Sequence, residues 1–152
     1  MNEVQNLDKR TLTLERILDA PLELVWDAWT KAEHIVNWWG PKGMKTVVEQ
    51  HDFKEGGHWK YIMTMPDGSD FIAEGSYTKI NEPKFLETSA NFKPMTEGVS
   101  LQVHLESVGN KTRFIFKVIH PTEAYCKQQE DMGFYNGWNS AFDRLSEFVS
   151  SK

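Results

Sequence analysis

Between residues 46 and 118 the apolar side chains recur at every second position, in six runs separated by turn residues. A period of two marks strands with one face buried and one face wet. Thr46–His51 is the weakest run, and Gly56-Gly57 punctuates the chain after it. His58–Met65 puts Trp59, Tyr61, Met63 and Met65 on one face. Pro66-Asp67-Gly68 turns the chain, and Phe71, Ala73, Gly75 and Tyr77 share the next face. Asn81-Glu82-Pro83 turns again, before Leu86, Thr88, Ala90 and Phe92. Val99, Leu101, Val103 and Leu105 line a fifth run. Gly109-Asn110 leads into Thr112, Phe114, Phe116 and Val118. Such closely spaced runs fold as an antiparallel meander.

A sheet with one apolar face needs a cover. Phe134, Trp138, Ala141, Phe142, Leu145, Phe148 and Val149 fall on one helical stripe, the strongest periodic signal in the chain. Upstream, Leu12, Leu14 and Leu18 share a strand face with Arg16 between them, which makes Thr11–Leu18 a seventh strand. Pro21 suits a helix start, Glu23 suits its positive end, and Leu22, Val25, Trp26 and Trp29 form a short apolar stripe. A second short helix through Ala32, Ile35 and Trp38 ends at Gly40-Pro41. Residues 122–131 are polar and read as loop or helical turn. The expected class is α+β, two layers around one core. Residues 1–10 are read as a flexible N-terminus and 11–152 as a single domain. An antiparallel sheet coiled around one helix, itself about 10–12 Å across, leaves space at one end unless large side chains fill it.

Charge and composition exclude several classes. Seventeen Lys and Arg stand against 22 Asp and Glu, a net charge of −5, so the chain lacks the basic balance of a nucleic-acid binder. No apolar run suffices to insert into a membrane, and the start has no secretory apolar stretch. Cys126 is the only cysteine, so an internal disulfide is impossible and a cytoplasmic setting is expected. His34, His51, His58, His104 and His120 show no metal-ligand spacing, and neither a nucleophile elbow nor a phosphate loop is present. No cofactor, metal or catalytic residue is therefore expected. Acid–base chemistry by a lone His or Tyr in a pocket stays open, but the chain reads as a binder before an enzyme. A monomer or weak homodimer is expected.

Six Trp, nine Phe and four Tyr make the chain 12% aromatic, with six Met besides. That composition serves a dense core, or an interior partly lined for an apolar ligand. Trp59, Tyr61, Phe71, Tyr77, Phe92 and Phe116 face inward from the sheet, opposite Phe134, Trp138 and Phe142 on the long helix. Trp38 and Trp39 lie at the short-helix end; being adjacent, one is expected to point inward and the other to form a rim. Ala73, Gly75 and Ala90 are expected to recess the sheet wall, while Met63, Met65 and Met132 are candidates to fill the space. Tyr61 and Tyr77 need hydrogen-bond partners if buried. Arg16 and His120 also fall on inward faces. Each must sit at a sheet end, pair with an acid, or face a polar part of a cavity.

Arg16-Ile17-Leu18-Asp19-Ala20-Pro21, followed by Val25-Trp26-Asp27-Ala28-Trp29-Thr30, resembles the opening of the SRPBCC superfamily. More narrowly, the chain is similar to the branch related to the C-terminal domain of the heat-shock chaperone ATPase activator. Trp38-Trp39-Gly40-Pro41, Gly56-Gly57-His58-Trp59, Asn81-Glu82-Pro83, Met132–Trp138 and Asp143-Arg144-Leu145 match later landmarks in order, over residues 11–150. The resemblance implies a helix-grip fold, like that of the major birch pollen allergen and START domains. In it a seven-stranded antiparallel sheet grips a long C-terminal helix, two short helices follow strand 1, and a hydrophobic cavity lies between sheet and helix. It does not fix function. Members bind lipids, polyketides, flavonoids or hormones; some are cyclases or dehydratases; a few modulate chaperones. The expected function is binding of a small hydrophobic molecule, aromatic, polyketide- or lipid-like. The candidate ligand-binding residues are Trp38, Trp39, Trp59, Tyr61, Phe71, Tyr77, Phe92, Phe116, His120, Phe134, Trp138 and Phe142. The alternatives are a module with a chaperone partner, or a cyclase- or dehydratase-type enzyme using the same cavity.

Overall fold

The alternating runs form strands, and the computed structural model describes them within residues 9–40, 45–93 and 96–151. Residues 1–8 of the expected flexible N-terminus, Pro41 of the expected helix stop, and Lys152 lie outside the described residues. The strands are β1 (Thr11–Leu18), β2 (Lys45–His51), β3 (His58–Thr64), β4 (Asp70–Asn81), β5 (Phe85–Lys93), β6 (Thr96–Val108) and β7 (Lys111–Ile119). They make one seven-stranded antiparallel sheet in the order β1-β7-β6-β5-β4-β3-β2. Two short helices, α1 (Leu22–Thr30) and α2 (Ala32–Ile35), lie in the chain between β1 and β2, the two sheet edges. After β7 come α3 (Glu123–Asp131) and the long α4 (Phe134–Ser150).

The polar stretch after Pro121 is helical rather than loop. Thr122 caps it, its Oγ1 accepting from the Tyr125 N–H at 3.1 Å, and only Cys126 and Gln129 are buried. A helix held by a cap and two buried side chains carries too little apolar periodicity to declare itself in sequence.

Curvature comes from irregular pairing. The register shifts between Val48 and Gln50, between Tyr77 and Lys79, and between Ala90 and Phe92. Such bulges bend and twist a sheet locally. Gly75 sits at a close approach of β4 and β5: a Cβ there would run into the Ser89 carbonyl oxygen and lie 3.0 Å from the Trp59 ring. Its missing side chain therefore seats the Trp59 indole.

Arg16 resolves in favour of an acid. Its Nη1 lies 2.9 Å from Asp143 Oδ1, and its Nη2 donates to the Asn139 backbone and side-chain oxygens at 3.1 and 3.0 Å. The guanidinium thus ties edge strand β1 to the middle of α4. Under the C-terminal half of α4 the core is solid: Phe142 and Leu145 pack with Trp29, Trp38, Phe114 and Phe116 in one buried cluster.

The expectation of one inward and one rim tryptophan is corrected. Trp38 and Trp39 are both buried, at 0% and 4% exposure. The chain after α2 winds tightly, with the Trp38 and Trp39 amides both donating to the Ile35 carbonyl. Trp38 turns toward α1, where its Nε1 donates to the Ala28 carbonyl at 2.9 Å. Trp39 turns toward the sheet, edge-on to Tyr61 with ring centroids 5.0 Å apart. The segment is covered on two sides, so neighbouring residues can both be buried.

Gly75→Ala should destabilise the fold by about 1–3 kcal/mol, the cost of forcing extra volume into a close-packed site. Urea denaturation measures it. A loss below about 0.5 kcal/mol would show that β4 and β5 can part there without cost.

Candidate functional site

The N-terminal half of α4 stands off from the sheet and leaves a cavity of about 290 Å³. Met63 on β3, Phe71 on β4, Phe92 on β5 and Val118 on β7 form the sheet side. Phe134, Gly137, Trp138 and Ala141 of α4 form the opposite side. Their spacing of three and four residues puts them on one face of the helix. Trp39 and Gly40 close one flank, with Met65 beyond the end of β3. Gln129, Met132 and Gly133, around the α3–α4 junction, complete the wall with His120. Met132 is 47% exposed, so the cavity meets the surface there.

Trp39 is the partition. Its ring stands edge-on to Trp59 at 5.9 Å, to Tyr61 at 5.0 Å and to Trp138 at 5.7 Å. On its far side remains a void of only about 20 Å³, bordered by Trp59, Tyr61, Tyr77 and Thr88 among others. That is room for little more than one water. Arg144 of α4 holds the Trp39 segment in place. Its Nη1 donates to the Gly40 and Trp39 carbonyls at 2.9 and 3.3 Å, and its Nη2 to the Asn37 carbonyl at 3.2 Å. Burial lowers the pKa of this guanidinium from its ordinary value.

The twelve sequence-derived candidates therefore divide. Trp39, Phe71, Phe92, His120, Phe134 and Trp138 border the cavity. Trp38, Trp59, Tyr61, Tyr77, Phe116 and Phe142 do not; they pack behind Trp39 or beneath Trp138. Phe116 lies 4.6 Å from the Trp138 ring and 5.0 Å from Phe142. Ala73, Gly75 and Ala90 are also away from the cavity, so the expected recess in the sheet wall is not what makes it. Met63, Met65 and Met132 border the space instead of filling it.

Gly137 was missed. A Cβ at this position would meet no atom within 4 Å. Glycine inside a helix costs about 0.5–1 kcal/mol relative to alanine, and here it keeps the helical wall flat. The signal was in the sequence: Gly137 stands three residues after Phe134 and four before Ala141, on the apolar stripe itself.

The polar tips of Trp59 and Tyr61 are occupied elsewhere, while Trp29 Nε1, deeper in the core, is buried without a partner among the described residues. The Tyr61 hydroxyl donates to His51 Nδ1 at 2.9 Å, because His51 Nε2 faces the Thr30 carbonyl and must carry the ring proton. Burial raises the pKa of both Tyr61 and Tyr77. Trp59 Nε1 donates to Thr88 Oγ1 at 2.7 Å. The cavity itself is bordered by no Asp, Glu, Lys or Arg among the described residues; its ring and amide polarity comes from His120 and Gln129. His120 is 1% exposed and stands just past the end of β7. Its Nδ1 lies 3.0 Å from the Arg10 carbonyl, which also accepts the His120 backbone N–H at 2.8 Å. Burial lowers the imidazole pKa from its ordinary 6.5, with the Arg10 bond pulling partly the other way. Among the described residues no group of His, Cys, Asp and Glu could hold a metal ion. No helix there is long and apolar enough to cross a membrane.

A depressed folded-state pKa means that the unfolded chain takes up the proton first as pH falls. The His120 contribution to stability is complete above the unfolded value of about 6.5 and is lost as pH falls through the folded value. Urea melts between about pH 7.5 and 5.5 should show falling stability. His120→Asn should flatten that slope by up to about 1.4 kcal/mol per pH unit. An unchanged slope would show that the imidazole titrates as if exposed.

The comparisons with known proteins agree with this architecture. No curated protein matches the chain significantly. Among solved structures, a protein from Nitrosomonas europaea is 27% identical, with 94% of this chain and 96% of that one covered at a TM-score of 0.82. A protein from Arthrobacter aurescens is 25% identical, covering 97% and 90% at a TM-score of 0.87. The AHSA1-like protein from Aeromonas hydrophila, 21% identical over 93% and 92%, shares the fold at a TM-score of 0.76. These likenesses fit the helix-grip architecture of a seven-stranded antiparallel sheet around a long C-terminal helix. The model of the family described as "Activator of Hsp90 ATPase homolog 1-like protein" matches residues 19–150, and the chain belongs to that family.

Proposed function

We propose that this chain binds a small hydrophobic molecule, aromatic, polyketide- or lipid-like, in the cavity between the sheet and the N-terminal half of α4. The carrying observation is the apolar cavity of about 290 Å³ whose helical wall is kept flat by Gly137. Pockets for small molecules are mainly apolar and aromatic, with a few placed polar groups. Trp39, Phe71, Phe92, Phe134 and Trp138 supply the first kind of surface, and His120 and Gln129 the second. At about 25 cal/mol per Å², burying roughly 300 Å² of apolar ligand surface supplies about 7.5 kcal/mol before association costs. That is the order needed for micromolar binding, about 8 kcal/mol. The same reading takes the chain to work in the cytoplasm, which its single, buried Cys126 supports.

Contact with a chaperone is the second reading, and the family description favours it. Stimulation of a heat-shock chaperone's ATPase by the chain, with no small molecule present, would support that reading over the first. The enzyme alternative has less support, since the described cavity wall offers no carboxylate and no tyrosine hydroxyl.

Gly137 separates stability from binding. Gly137→Ala should stabilise the fold by about 0.5–1 kcal/mol, because its methyl meets open space and helix propensity improves. Gly137→Leu should fill the cavity and abolish binding while the protein stays folded. Calorimetric titration with a panel of flavonoids and biphenyls checks it. Saturable binding that survives Gly137→Leu unchanged would place the ligand elsewhere.

A further inference from the structure

His120 is held so that only one of its ring nitrogens is in use. Nδ1 lies 3.0 Å from the Arg10 carbonyl oxygen, which can only accept, so Nδ1 carries the proton. The ring cannot turn freely. The Arg10 carbonyl takes the backbone N–H of His120 as well, and Arg10 Nη1 donates to the His120 carbonyl at 3.0 Å. Tyr125 and Phe134 stand edge-on to the imidazole at 6.0 and 6.4 Å. With Nδ1 protonated, Nε2 bears a bare lone pair and has no protein partner among the described residues. The residue is 1% exposed and borders the cavity. Nε2 is not among the fully enclosed unpaired polar atoms of the described residues, which are Trp29 Nε1 and His34 Nδ1, so it keeps access to open space, and the cavity His120 borders supplies it. An acceptor set in an apolar wall is poorly solvated, and a ligand that donates to it gains a hydrogen bond there.

The other polar groups are engaged or out of reach. Gln129 is held by its own contacts, one of them from Nε2 to Met132 Sδ at 4.0 Å. Tyr61 is committed to His51, and both Tyr61 and Tyr77 lie behind Trp39. The described wall carries no cation, so a carboxylate or phosphate entering it would lose its hydration without compensation.

We propose that His120 Nε2 is the hydrogen-bond acceptor that selects the cavity's ligand, and that this ligand is a neutral molecule with a hydroxyl donor, phenolic or alcoholic, on an apolar body. The assignment presupposes the cavity-binding reading above and narrows it to one ligand chemistry. Geometry makes the hydroxyl, not the ring system, the discriminating group.

The test uses three probes of one shape: 4-phenylphenol, its methyl ether 4-methoxybiphenyl, and biphenyl-4-carboxylate. Calorimetric titration at about pH 7.5 should show the phenol binding about three- to tenfold tighter than the ether, the worth of one hydrogen bond. The carboxylate should bind more weakly still. His120→Asn can keep a donor to the Arg10 carbonyl while removing the ring's far nitrogen. In that variant the phenol-to-ether ratio should fall to about one. Nitrogen NMR of the wild-type imidazole gives a measurement that needs no variant. Nε2 should appear as the unprotonated nitrogen, and its resonance should move on adding the phenol but not the ether. A proton on Nε2 in the free protein overturns the proposal whatever binds. Equal affinity for phenol and ether, with both blocked by Gly137→Leu, overturns it and leaves the cavity reading standing. Failure of every probe to bind saturably removes the cavity reading, and this proposal with it.

Discussion

The Arg144 guanidinium and the carbonyls of Asn37, Trp39 and Gly40 form the junction on which the interior is organised. These carbonyls lie just past α2, where the helical bonding has ended, and the Trp39 carbonyl also accepts from Thr46 Oγ1 at 2.8 Å. Arg144 supplies donors to them from α4, and so joins the helix layer to the segment between α2 and β2. Hydrogen bonds to a charged group contribute roughly 1.5–3 kcal/mol each, against about 0.5–1.5 kcal/mol for an aromatic pair beyond its buried area. The guanidinium therefore decides where Trp39 stands, and the edge-on contacts of its indole refine the position. Once Trp39 is set, the space under α4 is split into a packed half and an open half.

The sheet cooperates by bending unevenly. Gly75, two residues before the register shift that begins at Tyr77, lets β4 close onto β5, which lowers Trp59 into the core. The result on that side is a layer of Trp59, Tyr61 and Tyr77 whose polar atoms are satisfied internally or by the neighbouring His51 and Thr88. Nothing in that layer is left to attract a ligand. At the other end β7 stops at Ile119, and the chain turns through His120 and Pro121 into α3. There the sheet gives way to the α3–α4 junction, and the wall closes less completely. The position of the cavity follows from these two ends, one sealed by close strand approach and one finished by a helix connection.

Much of this was legible in the sequence, for identifiable reasons. Seven strands and the long helix declared themselves because period two and period 3.6 are properties of single elements. The direction of Trp38 and Trp39 was not legible, because it depends on α1 and α4 covering the segment from two sides. The same limit divided the twelve candidate residues. Alternation puts Trp59, Tyr61 and Phe116 on the inward face, as it does Phe71 and Phe92, but whether an inward residue meets a neighbour or a void depends on what Trp39 and Trp138 do. The small residues Ala73, Gly75 and Ala90 looked like recesses, yet at Gly75 the space is taken by backbone and by Trp59. Gly137 is the informative glycine: helix propensity alone scores it as a cost, and only the open space beside it in the fold shows a use.

That glycine carries the argument from packing to function. An enclosed dry cavity costs stability at about 24 cal/mol per Å³, so a fully enclosed void of 290 Å³ would be several kcal/mol too expensive to keep without reason. Contact with the surface beside Met132 lowers the cost by admitting water, but water gains little from walls of Trp, Phe and Met. A larger aliphatic side chain at residue 137 would remove most of the space and improve the helix as well. Glycine there gives up both gains, next to a histidine whose second nitrogen is also left unpaired. Two local rules are broken within one cavity; elsewhere among the described residues the unpaired buried atoms, Trp29 Nε1 and His34 Nδ1, border no such space. Such departures concentrate where function demands them. A hydroxylated apolar molecule would remedy both at once, its body taking the room left by Gly137 and its hydroxyl meeting His120.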